Sequence, residues 1–168
     1  MTMPAARPPD LVHGEPRSRG GWPRATAFAA ALATASLTAC VAPALDSGAF
    51  QRNAIEALDS AVSDTRTGAV AVEGLLEGRL TRPFADTVIT QSEDAIGPVE
   101  DSFGSVDPPG SSDVRLRKDV GDLLSDAGDA LADARIAVRH GDRTGMAQSV
   151  IRLRALADRL EARAERLS

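Results

Sequence analysis

Two rows of charge and a single thiol are the features of this sequence whose types and spacing could do chemistry. Asp119, Asp122, Asp126, Asp129 and Asp133 recur at alternating steps of three and four. On a helix that spacing gathers them along one side, opposite the apolar stripe of the same segment. Arg152, Arg159, Arg163 and Arg166 form a second row, with Asp158, Glu161 and Glu165 on the other flank of their helix. Carboxylates on one straight helix cannot wrap a Ca²⁺ ion, which needs oxygens converging from many directions. The Asp row therefore reads as a solvated face, as a docking surface for a basic partner, or as a loose divalent-cation site that holds its ion only partly. The Arg row reads as lying against an acidic neighbour and setting packing order, as flanking charges do in coiled coils, or as meeting anionic head groups. These Asp and Arg side chains together are the candidate interaction surface.

Catalytic and metal chemistry find little to work with. Cys40 is the only cysteine, which excludes an internal disulfide framework and any multi-cysteine metal site. Of the two histidines, His140 stands just before Gly141 at a helix end, where a positive charge suits the helix dipole. No nucleophile elbow, zinc-binding His pair, Glu-x-x-His bundle motif or phosphate-cradling loop occurs. An enzyme would need carboxylates such as Glu93 or Asp94 to converge with acids of another helix. Aromatic residues make up 3% of the chain, which leaves little for carbohydrate or haem recognition. The formal net charge of −5 argues against general nucleic-acid binding. The expectation is no catalytic residue, no metal and no cofactor.

The thiol has a specific setting. Arg7, Arg17, Arg19 and Arg24 precede an uncharged, Ala-rich run from Ala25 to Ala39 that stops at Cys40. A basic leader, an apolar run and small residues before a break are the parts of a secretory signal. Leu37-Thr38-Ala39-Cys40 resembles the lipobox of bacterial lipoproteins. That resemblance implies that the Cys40 thiol takes a diacylglyceryl group, that cleavage falls before it, and that the mature protein is lipid-anchored on the outer face of the cell membrane. Two other readings share the stretch. One is an uncleaved anchor, weakened by its Ser/Thr content and Pro43; the other is a non-lipid signal cut after Ala35. All three export the remainder of the chain. The resulting organisation is a signal peptide over 1–39, a lipidated cysteine and tether over 40–48, and a helical domain over 49–168. From Cys40 onward the chain carries 15 basic and 22 acidic side chains, so the exported part is more acidic than the whole.

The elements that must position the charged rows follow from a 3.6-residue period. Ile55, Leu58, Val62, Thr65, Ala69, Val72 and Leu76 make one stripe, with Gly78 and Thr81 marking its end and the next cap. A second, less apolar stripe runs through Ala85, Val88, Ser92, Ala95, Val99, Ser102 and Val106, with Phe84, Ile96 and Phe103 alongside. Gly97-Pro98 falls inside it and predicts a kink or a break. Asp107–Ser111 is a loop, and Ser111 or Ser112 caps the third helix. That helix carries Val120, Leu124, Ala127, Leu131, Ala134 and Val138 and stops at Gly141. Asp142 or Thr144 opens the fourth, with Met146, Val150, Leu153, Ala157, Leu160, Ala164 and Leu167. Four helices of matched length, none able to bury its stripe alone, predict an all-α antiparallel four-helix bundle.

The functional expectation is a non-catalytic, lipid-anchored cell-envelope protein whose bundle is an interaction or structural module. Its partners would be the membrane, through Cys40, and another envelope protein. The alternative is an extracytoplasmic binding protein holding a small apolar ligand or cation in a pocket lined by Phe84 and Phe103.

Overall fold

The computed structural model describes residues 46–168; the expected signal peptide, Cys40 and the first part of the expected tether lie outside the described residues. Four helices follow one another: α1 (Ser47–Leu76), α2 (Arg82–Gly104), α3 (Ser111–His140) and α4 (Arg143–Glu165). Among the described residues there is no strand. Helix α1 opens two residues inside the expected tether, because the Asp46 carboxylate accepts the Ala49 N–H at 2.7 Å and satisfies one of the open donors of its first turn. The expected Thr81 cap starts α2, with Pro83 in its first turn. The third helix begins earlier than its serines suggest: extended Gly110 is the cap, and Ser111 is already helical. Asp142 caps α4, accepting from the N–H groups of Thr144 and Gly145.

Glycine sets two of the turns. Gly78 (φ 73°) and Gly141 (φ 68°) adopt the left-handed conformation that side chains disfavour. After each, the chain bonds back across the last turn: Arg79 N–H to the Gly74 carbonyl, and Asp142 N–H to the Ala137 carbonyl. These short links make sequential helices antiparallel neighbours. α4 closes the ring against α1, and α1 also meets α3 across the middle; the backbones of α2 and α4 stand farther apart. The result is the four-helix bundle the periodicity predicts.

The core is built from the expected stripes of α1, α3 and α4, with Leu58, Val120, Leu124, Leu131, Val138, Leu153 and Leu160 fully buried. Two features of α2 are more specific than the sequence reading. The helix is not broken at Pro98. Gly97, Pro98 and Asp94 are all exposed, so the Asp94 carbonyl that loses its helical donor faces water. The buried row of α2 is Ala85, Ile89, Ser92, Ile96 and Phe103, rotated from the expected one. The larger side chains turn inward, where the Phe103 ring packs tilted at 40° against Phe50 with centroids 5.4 Å apart. Val88, Val99 and Val106 are left half-buried at the edge. Buried hydroxyls are satisfied locally, as where Thr65 donates to the Ala61 carbonyl at 2.6 Å.

Candidate interaction surface

The two charged rows face each other. Arg152 of α4 pairs with Asp133 of α3 at 2.5 Å, Arg159 with Asp126 at 3.5 Å, and Arg163 with Asp119 at 3.5 Å. Antiparallel helices make this possible: as residue numbers rise along α4 they fall along α3, so three rungs form at matching heights. The Asp row is thus not wholly opposite its helix's apolar stripe. Asp119, Asp126 and Asp133 lie on the flank that adjoins α4. Asp122 instead pairs with Lys118 one turn away, and Asp129 is exposed without an ion-pair partner among the described residues. Arg166 is exposed beside Asp119 and Asp122 in the open groove between α3 and α4. Most of the Arg row is therefore engaged within the protein.

The other flank of α4 is tied to α1 by Arg66–Glu161 at 2.6 Å and Arg154–Glu73 at 2.6 Å. Helix α3 is tied to α2 by Arg135–Glu93 and Arg139–Asp86. The Arg135–Glu93 pair is bidentate and the least exposed, and the carboxylate beside it holds the Arg135 guanidinium more firmly in its charged form. Glu93 is engaged in this pair, while Asp94 stands exposed. His140 is exposed at the end of α3. Among the described residues no group of side chains is arranged to hold a metal ion, and no helix is long and apolar enough to cross a membrane.

Three of the four seams around the bundle are laced by ion pairs. The α1–α2 seam has none among the described residues. It carries two open grooves instead. One lies between Glu56, Ala57 and Ser60 of α1 and Pro98, Val99 and Phe103 of α2, with Val106 of the following loop. The other is mostly apolar and lies between Thr67, Val70 and Ala71 of α1 and Leu80, Phe84 and Val88, with Arg66, which is paired to Glu161, at its α1 edge. Val70 and Phe84 are 58% and 55% exposed. Phe84 and Phe103 line different grooves, so no single pocket joins them. This seam is the surface that charge spacing missed. Its signal was the surplus apolar width of α2, where two adjacent rows could each have been the buried one. Comparison with family models, with curated proteins and with solved structures finds no match.

Proposed function

We propose that this chain is a non-catalytic, lipid-anchored protein of the bacterial cell envelope, held at Cys40, whose helical domain is a protein-interaction module. The lipobox resemblance of Leu37–Cys40 supports the anchor. The observation that carries the module reading is the unequal sealing of the bundle. Ion pairs close three seams, and the fourth leaves Val70, Phe84 and Val88 in contact with solvent. Large apolar side chains gathered at one open seam are a common mark of interaction surfaces. Attachment by acyl chains at Cys40 would keep such a surface close to other envelope proteins.

Metabolic labelling with a palmitate analogue tests the anchor. The chain takes label and partitions with membranes, and Cys40→Ala loses both. Unchanged labelling in that variant overturns the anchor. Cross-linking in intact cells tests the module, and a single protein partner should be recovered whose cross-links map to α1 and α2. Cross-links scattered evenly over the bundle overturn it.

A further inference from the structure

The interaction reading can be made specific from the charges that the bundle leaves over. On α1 and α2, Glu56, Asp59, Asp64, Asp94, Glu100 and Asp101 have no ion-pair partner among the described residues, against Arg52 and Arg82. Glu56 lines the groove beside Pro98. Of the other acids, Asp94 and Asp101 lie one turn either side of Pro98, on the solvent side of that groove's edge. Asp64 lies one turn from Ser60 and one from Thr67, between the two grooves, and is half-buried. Burial pushes its carboxyl pKa up, so an approaching cation is favoured more there than on open surface. The seam from Asn53 to Ala71, at about 1.5 Å per residue, is roughly 27 Å long, the length of a five-turn helix.

Resting on the module reading, we propose that the α1–α2 seam docks a basic amphipathic helix of a partner protein, its apolar row along Val70, Val88 and Val99 and its Arg or Lys flanks reaching Glu56 and Asp64 within the seam and Asp94 and Asp101 at its outer edge. The bundle already contains one example of this recognition. Helix α4 lays an apolar stripe on the core and sets Arg152, Arg159 and Arg163 against the Asp row of α3.

The test uses the full chain in mild detergent and two fluorescein-labelled helical peptides of 18 residues, sized to the seam. Both carry Leu at every third or fourth position; one has Arg on the flanks and the other Glu. Fluorescence anisotropy should show the Arg peptide binding at least about tenfold tighter than the Glu peptide, a difference that charge pairing can supply. Ser60→Arg and Val70→Arg, both at exposed positions, should each weaken it by a similar factor, whereas Ile151→Arg on α4 leaves it unchanged. Circular dichroism confirms that each variant keeps its helices. Equal binding of the two peptides, or indifference to both seam variants, overturns the proposal. So does sedimentation showing that the protein alone dimerises through Ser60 and Val70. If the peptides fail while cross-linking in cells still maps one partner to α1 and α2, the partner chemistry is wrong and the module reading stands; if both fail, both fall.

Discussion

Leu131 of α3 places a δ-methyl group where a β-carbon on Gly68 of α1 would stand. This contact lets α1 and α3 approach across the middle of the bundle, so Gly68 is a packing residue.

Gly68→Ala therefore sets two effects against each other. Helix propensity gains roughly 1 kcal/mol, but forcing Leu131 aside in a filled core costs about 1–3 kcal/mol. The variant should be less stable in urea denaturation. Gly121 on α3 has open space around its α-carbon, and Gly121→Ala should stabilise by up to about 1 kcal/mol. Two glycines in helix interiors thus respond with opposite signs.

The phenylalanines separate in the same way. Phe50 and Phe103 are buried against each other, and Phe103→Ala should cost about 3–5 kcal/mol. Phe84 is more than half exposed, and Phe84→Ala should stay within about 0.5 kcal/mol of the parent. Thermal unfolding followed by circular dichroism distinguishes them. A large loss for Phe84→Ala would mean that its groove is part of the core.

Ion pairs should rank by exposure. Glu93→Gln breaks a bidentate pair whose side chains are each 23% exposed, and should cost about 1–2 kcal/mol. Arg152→Gln breaks a pair whose side chains are more than half exposed, and should cost at most about 0.5 kcal/mol. Denaturation midpoints in low and high salt check the order, since exposed pairs are the more screened.

Asp64 gives a pH signature. Burial raises its folded-state pKa above the ordinary aspartate value, so the folded protein holds that proton more tightly than the unfolded chain. The group therefore opposes folding above its folded pKa, and the penalty fades as pH falls through that pKa toward the unfolded value. Asp64→Asn should melt higher than the parent at neutral pH, and the difference should vanish once pH falls below the ordinary aspartate value of 3.8. An unchanged gap at acidic pH would place the effect elsewhere than in its charge.

The stripes of α3 and α4 were legible in the sequence because each helix has a single apolar face flanked by charge. Every predicted stripe residue of α3, from Val120 to Val138, is buried. Helix α2 was legible only as a helix. Val88 and Ile89 are adjacent and both apolar, and which turned inward depended on how much volume α1 and α3 left between them. The rungs joining Asp133, Asp126 and Asp119 to Arg152, Arg159 and Arg163 needed the relative height of two helices, which periodicity within one helix does not contain. The open seam was hidden for a related reason: it is defined by pairs that the other seams form and this one does not.

The diagonal contact of α1 with α3 has a mechanical consequence. α1 and α3 each touch all three other helices, whereas α2 and α4 touch only those two. A pull applied through Asp46 loads a helix at the centre of the packing, so the whole core must shear before the chain can lengthen. A pull applied through Ser168 loads a corner, and α4 can peel away rung by rung while the other three helices remain together. When the domain is stretched by both ends, which carry the same tension, α4 with its two neighbours should detach before α1 with its three.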